Sequence, residues 1–360
     1  NLCSVFNIKI IGCFCVFQQK LTVFLANVMF SIEKDIFTIA RDKMSVTVGT
    51  GNFKYEAVDS WPMLPGGATL IETPGVAVDS QDEIYTFSRN TEHPVMVFNR
   101  DGNFLRGFGT GIFSNRTHGI LIGPDDTVYC ADDGIHTITK FTREGELLMT
   151  IGTPGKSSEI WKGEPFNRPT HAAVSKKSGD IFITDGYGNF RVHKYSAEGE
   201  YIKSWGEPGI EPGQFLRPHN IAVDDDDRVI VADREAHRVQ VFDTDGNVID
   251  VWNNIFMPNG LTIGPDGNIY IGELPGMTQA DPTPPNHGHN ISIISPSGEK
   301  LGRIGHPEEG EEPGKFIAPH GIGVDSHGDI YVGEVSYTIR GSHMNPPKEL
   351  RSLSKLRKVT

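Results

Sequence analysis

Three histidines sit at the same place in a recurring pattern. Six segments begin alike: PGVAVD at Pro74, THGILIG at Thr117, PTHAAVS at Pro169, PHNIAVD at Pro218, PNGLTIG at Pro258 and PHGIGVD at Pro319. Aligned on their apolar residues, they share a column that reads Pro74, His118, Thr170, His219, Asn259 and His320. Histidine fills alternate positions, and His118, His219 and His320 are separated by equal steps of 101 residues. A single buried histidine is more often a satisfied structural residue than a ligand. Three in one column, if the fold brings them to one point, form the three-imidazole set of a catalytic zinc, with a fourth position left to water or substrate. Imidazole also suits iron, nickel and copper.

Convergence requires a ring. The stretch Leu216 to Phe242 shows the repeating unit: an apolar strand at Asn220 to Val223, a turn at Asp224 to Asp227, a second strand from Val229 and a third from Arg238 to Phe242. Short strands with period-two alternation between Asp/Gly turns denote antiparallel β-structure, and recurrence every few tens of residues denotes a propeller or solenoid. Third and fourth strands are clearest in VHKYSAEGEYIKSWG, where Glu198-Gly199 fits a hairpin turn. We therefore expect an all-β, six-bladed β-propeller. The last unit lacks a fourth strand of its own after Leu353 to Val359, and Phe53 to Trp61 is expected to supply it, closing the ring with N-terminal chain. In a six-bladed ring, alternate blades are rotated by about 120°, so the three imidazoles meet on the axis. Two separate β-domains would need a linker that the sequence does not offer.

With 41 Gly, 23 Pro and a net charge of -13 in 360 residues, the chain suits one large all-β domain and is ill suited to nucleic acid, which demands clustered Lys and Arg. Residues 1–43 differ in kind and are expected to be an apolar leader or non-domain extension preceding a domain over 44–360. Val5 to Phe17 and Leu21 to Phe30 are divided by Gln18, Gln19 and Lys20, so neither reaches the roughly 20 residues of a membrane span. Cys3, Cys13 and Cys15 lie in this leader, leaving Cys130 alone in the domain. No disulfide within the domain is expected, which permits a reducing compartment; the compartment itself depends on the leader. We expect a monomer.

The loop after each second strand opens on the face where the inner strands start. Arg89, Tyr187 and Arg234 occupy such loops and can reach the axis. Tyr187 could merely pack, and Arg234 could merely pair with Asp233 or Glu235. Asp233 and Arg238 are expected to be scaffold, joined by a charge-assisted bond. Two long connections on this face, residues 277–290 and 336–348, are expected to shape substrate binding; His287 and His289 in the first are read as solvent-loop residues. The triplet Asn115-Arg116-Thr117 is a glycosylation acceptor that would obstruct the site and is read as fortuitous.

These residues carry a resemblance. The repeats look like those of NHL propellers, and the span from about Phe53 to Val359 resembles the peptidyl-α-hydroxyglycine α-amidating lyase part of peptidylglycine α-amidating enzymes. The matching pieces are FSRNTEH around Arg89, RTHGI around His118, DGYGNFRVHKYSAEGEYIKSWG around Tyr187, PGQFLRPHNIAV around His219, VADREAHRVQVF around Arg234 and APHGIGVDSHGDIYVGE around His320. The resemblance implies a zinc held by His118, His219 and His320, a catalytic Tyr187, and active-site arginines at Arg89 and Arg234. Its two disulfides have no counterpart: Asn167 and Gly188 stand at one pair, Ile230 and Val241 at the other. Nothing in the chain resembles the monooxygenase domain that makes the substrate in the bifunctional enzymes.

The implied reaction breaks a carbinolamide, N-CH(OH)-COO⁻, to an amide and glyoxylate once the hydroxyl proton is removed. Zinc lowers the pKa of a bound hydroxyl, Tyr187 is the candidate base, and a phenol titrating ordinarily near 10 would need the metal and the arginines to stabilise its phenolate. Arg89 or Arg234 would hold the carboxylate with its planar fork. A metal-dependent hydrolase or lyase of another small substrate, and a non-catalytic interaction propeller, are the competing readings. The family's structural calcium is expected to be lost. It is held there by an aspartate after the third histidine and by two carbonyls at the positions of Val76 and Ile120, and the aspartate position is Gly321 here. His171 could place an imidazole near the vacated space.

Overall fold

A computed structural model describes residues 46–162, 166–276 and 287–359. Its strands form six sheets in a ring, a six-bladed β-propeller. Blade 1 comprises Gly75–Val78, Ile84–Phe87, Val95–Phe98 and Phe104–Phe108. Blades 2 to 5 follow in the same antiparallel order, with inner strands Thr117–Ile122, His171–Val174, Pro218–Val223 and Pro258–Ile263. Blade 6 has Pro319–Val324 innermost, then Ile330–Glu334 and Leu353–Lys358. The expected N-terminal closure is present: Phe53–Val58 pairs antiparallel with Leu353–Lys358, Tyr55 facing Lys358 and Ala57 facing Leu356. Beyond it lies a strand the sequence reading missed, Val46–Thr50, which gives this sheet a fifth member. The expected leader over residues 1–43 lies outside the described residues. Among the described residues no helix is long and apolar enough to cross a membrane.

Burial explains why these sequences become these strands. Second strands such as Val229–Asp233 and Ile269–Glu273 are buried along their whole length, because both faces of each sheet pack against a neighbouring blade. They read accordingly as near-continuous apolar runs. Each seam between blades holds its own apolar cluster: Phe87, Ile120 and Phe141 between blades 1 and 2, Ile230, Leu261 and Ile271 between blades 4 and 5. Tyr55, on the closing strand, is fully buried in the seam between blades 5 and 6 with Tyr270 and Ile330. Closure therefore contributes core as well as hydrogen bonds.

The turn after the inner strand is organised by an aspartate in blades 1, 4 and 6 and by Ser175 in blade 3. Asp79 accepts from the backbone N–H of Gln81 and Glu83 and pairs with Arg143 from the next blade at 2.6 Å. Asp325 repeats the arrangement, accepting from His327 and Asp329 and pairing with Arg100 of blade 1 at 2.8 Å. The Asp runs in the sequence are thus turn-forming and seam-crossing groups.

Candidate metal centre

The inner strands carry the histidine column at their starts, and a register irregularity lies there in the blades concerned. Pairing with the second strand shifts between Thr117 and Ile120, between Pro218 and Ile221, and between Pro319 and Gly321. Such a bulge re-aims a side chain next to a functional site. Here it accompanies imidazoles that point into the channel. His118, His219 and His320 come together with ring centroids 4.7 to 4.9 Å apart. One nitrogen from each lies within 4.8 Å of the others, a group able to hold a metal ion.

The other ring nitrogen of each histidine is held by the neighbouring blade. His118 Nδ1 donates to Thr170 O at 2.7 Å, His219 Nδ1 to Asn259 O at 3.3 Å, and His320 Nδ1 to Pro74 O at 2.7 Å. His219 Nδ1 also meets Asn220 Oδ1 at 3.0 Å. A carbonyl only accepts, so each Nδ1 carries the proton and each Nε2 presents a lone pair. The acceptors Pro74, Thr170 and Asn259 are the three non-histidine members of the same column. All six blades therefore take part, three supplying imidazoles and three the carbonyls that set their tautomer, as metal-ligating histidines require. Burial, reinforced by the positive charge of Arg89 and Arg234 at His118 and of Arg234 at His219, pushes the pKa of both histidines well below the usual value. His320 is lowered likewise by burial and by His118. All three are then neutral at pH 7, the form a metal needs. The donor set fits zinc.

Tyr187 reaches the same point. Its hydroxyl lies 3.0 Å from His118 Nε2 and 3.2 Å from His219 Nε2. The Gly186-Tyr187-Gly188 loop passes so close to blade 4 that a Cβ at Gly186 would lie 1.8 Å from Pro218 O, so only glycine allows this approach. Arg234 opens a short 3-10 turn, Arg234–Ala236, and its Nη1 lies 3.1 Å from Asn259 Oδ1 and 3.5 Å from the Tyr187 hydroxyl. It pairs with Glu235 at 2.9 Å. Arg89 is held by Glu72 at 2.5 Å and by Thr338 Oγ1 at 2.8 Å. The structure thus gathers His118, His219, His320, Tyr187 and Arg234 by direct contact, with Arg89 alongside through its interaction with Thr117 O at 3.5 Å. Asp233 and Arg238 are scaffold, paired at 2.9 Å.

Three arginines in this region were missed by the sequence reading. The guanidinium carbons of Arg168 and Arg217 lie 4.5 and 5.3 Å from the centre of the Tyr187 ring, and Arg116 shares Asp133 with Arg168. The signal was present: each stands two residues before the histidine column, in RTH, RPT and RPH of three successive units.

Of the connection over 277–290, residues 277–286 lie outside the described residues. His289 is buried, its ring docked on the loop at Pro307 with Nε2 3.2 Å from Pro307 O, which corrects its reading as a solvent-loop residue. Neither it nor His287 joins the metal group. In the connection over 336–348, the short helix Ser336–Ile339 carries Thr338 to Glu72. Cys130 is a buried free thiol. Positions the resemblance assigns to disulfides are adjacent: Ile230 faces Val241 across two strands, and a Cβ at Gly188 would lie 2.6 Å from the Asn167 Cβ. Below the triad, a cavity of about 730 Å³ follows the channel toward the opposite face, lined by Val76, Ile120, His171 and Gly321 among others but by none of the three histidines. His171 Nε2 lies 3.2 Å from Ile120 O, and burial lowers its pKa to about 4.

Comparison with known proteins agrees with this architecture. The NHL repeat model matches residues 215–242. NHL repeat-containing protein 3 of Homo sapiens is 34% identical over 245 residues, 63% of this chain and 69% of that protein. Peptidylglycine alpha-amidating monooxygenase of Rattus norvegicus is 26% identical over 353 residues, 85% of this chain but 34% of that protein. Peptidyl-alpha-hydroxyglycine alpha-amidating lyase 1 of Drosophila melanogaster is 29% identical over 236 residues, 61% of this chain and 42% of that protein. Among solved structures, a streptogramin B lyase superposes with a TM-score of 0.56 over 86% of this chain and 98% of that one, at 13% identity; that likeness concerns the fold. With its six blades and its repeat pattern, the chain belongs to the NHL-repeat propeller family that includes NHL repeat-containing protein 3.

Proposed function

We propose that this protein is a zinc-dependent carbon–nitrogen lyase that cleaves an α-hydroxyglycine carbinolamide to an amide and glyoxylate. The observation that carries the reading is the position of the Tyr187 hydroxyl, within hydrogen-bond distance of two of the three inward-facing imidazole nitrogens. A phenol needed only for packing has no reason to meet the apex of a neutral histidine triad. The similarity to amidating lyases supports the choice of substrate class.

His118, His219 and His320 would hold the zinc, which when bound supplies a Lewis acid that lowers the pKa of the substrate hydroxyl. Tyr187, acting as its phenolate, would receive that proton. As the oxygen's electrons form the new carbonyl, the C–N bond breaks, its electron pair goes to the departing nitrogen, and the proton is returned there. One α-hydroxyglycine yields one amide and one glyoxylate, with no other reactant. Arg234, whose Nη1 approaches Tyr187, is placed to receive the substrate carboxylate, and Arg89 on the opposite flank is the second candidate. Glu72, Thr338 and Asn259 fix the two guanidiniums.

The test is glyoxylate release from a synthetic compound such as α-hydroxyhippurate. Absence of glyoxylate from zinc-loaded protein across a range of acyl groups would overturn the reading.

A further inference from the structure

The arginines over Tyr187 exceed what one carboxylate needs. Arg116, Arg168 and Arg217 come from blades 2, 3 and 4 at one column, two residues before the positions of His118, Thr170 and His219. With Arg234 they make four guanidiniums, yet among the described residues the carboxylates they pair with are two. Asp133 binds Arg116 at 2.6 Å and Arg168 at 3.0 Å. Glu235 binds Arg234 at 2.9 Å and Arg217 at 3.5 Å. The nearby Asp132 and Asp185 turn to other donors: Asp132 to Ser114 and to backbone N–H groups at Gly134 and Ile135, Asp185 to Asn167 N and to Asn189.

Arg217 has the most capacity left. Its Nε is buried and makes no hydrogen bond, its nearest carboxylate oxygen being Glu235 Oε1 at 3.5 Å, and among the described residues its guanidinium otherwise meets the face of Tyr187. Arg116, Arg168 and Arg217 are also more open to solvent, at 43%, 38% and 32% of their side chains, than Arg234 at 9%. Cationic side chains concentrated at the mouth of a channel in a chain of net charge -13 focus a local positive potential and draw in anions. Guanidinium matches carboxylate geometry in a two-point fork, as Arg116 already shows on Asp133, at 2.6 and 2.7 Å.

We infer that Arg168 and Arg217, supported by Arg116, form a second anion subsite on the outer side of Tyr187, so that the preferred substrate carries a second carboxylate beyond its α-hydroxyglycine end. The inference rests on the lyase reading above and specifies its substrate as an acidic acyl or acidic peptidyl α-hydroxyglycine. Glu235 couples the two anion sites, since it is shared between Arg217 and Arg234.

The test compares N-succinyl-α-hydroxyglycine with its neutral counterpart N-acetyl-α-hydroxyglycine on the zinc-loaded protein. The expected result is kcat/KM about tenfold or more higher for the succinyl compound at low salt, a preference that shrinks as ionic strength rises. In Arg168→Gln/Arg217→Gln the ratio of the two kcat/KM values should fall to within about twofold of one, and Arg168→Lys/Arg217→Lys should restore part of it. Equal turnover of both compounds by the wild type, or an unchanged ratio in the double glutamine variant, overturns the subsite. If neither compound releases glyoxylate, the lyase reading fails separately. Calorimetric binding of the same two compounds then decides the subsite by itself: tighter binding of the succinyl compound in wild type but not in the double variant upholds it, and equal binding overturns it.

Discussion

His320 Nδ1 donates to the carbonyl of Pro74 at 2.7 Å, a bond that crosses the seam between the last blade and the first. The metal group is therefore built across the ring's point of closure. His118 and His219 make the corresponding bonds to Thr170 and Asn259, so the ligand orientations depend on the ring being shut, and a bound metal should in turn hold the ring shut.

Metal and stability are accordingly linked. We expect close to one zinc per chain by elemental analysis and a fall in Tm on its removal. Ligand binding to the folded state alone stabilises by about 4 kcal/mol when free metal exceeds the dissociation constant a thousandfold. His219→Ala should lose both the metal and the zinc-dependent rise in Tm. A zinc-dependent rise of unchanged size in that variant would place the metal elsewhere.

Gly186 is expected to matter for rate and little for metal. A Cβ there would meet Pro218 O at 1.8 Å, so Gly186→Ala must push the Tyr187 loop away from blade 4. Misplacement of a catalytic group by about an ångström can cost on the order of a hundredfold. Turnover should drop by that order while zinc content stays near one; full activity in the alanine variant would show that the loop's close approach is not required.

Much of this was legible in the chain, for physical reasons that differ from residue to residue. Strands declared themselves through alternation between Asp and Gly turns, and closure by Phe53–Val58 followed from an outer strand lacking in the last unit. The triad could be read because a propeller converts one sequence column into one point on the axis. The carbonyls of Pro74, Thr170 and Asn259 could not, since a backbone acceptor leaves no residue signature. Neither could Thr338, brought to Glu72 by a short helix across 266 residues of sequence. Arg116, Arg168 and Arg217 were visible as a column but lay two residues before the column inspected. Val46–Thr50 was missed because it adds to an outer edge and buries only Val48 in the core, which leaves no apolar alternation to read.

The departure at Gly321 gives a prediction about calcium. A Cβ at that position would lie 2.6 Å from Val76 N and 2.8 Å from Pro74 O, and His171 already approaches the Ile120 carbonyl. Chelating calcium without stripping zinc should leave Tm unchanged. Gly321→Asp should destabilise, by about 1–3 kcal/mol as overpacked sites do, without creating a calcium-dependent Tm. A calcium-dependent rise in either protein would show that other oxygen ligands assemble in the channel.

Alkaline pH should open the ring closure. Burial pushes the Tyr55 hydroxyl up to about 12 and raises Tyr85, Tyr270 and Tyr331 as well. The folded state favours the neutral phenol, so the unfolded chain releases its protons first, near pH 10. Stability is fully present below pH 10 and falls as pH rises toward 12. The Tyr55 hydroxyl is buried against Tyr270, so Tyr55→Phe should cost little at pH 8 and lose less Tm than wild type between pH 10 and 12. Parallel losses in both proteins would contradict this assignment.

The most direct measurement is glyoxylate formation from α-hydroxyhippurate by zinc-loaded wild type and Tyr187→Phe, with zinc content measured on the same samples. The predicted result is zinc-dependent glyoxylate in wild type, reduced about a hundredfold or more in the variant with the metal retained. Undiminished turnover in Tyr187→Phe would remove the tyrosine from the mechanism, and zinc-replete wild type that forms no glyoxylate from this or any other acyl α-hydroxyglycine would contradict the account at its centre.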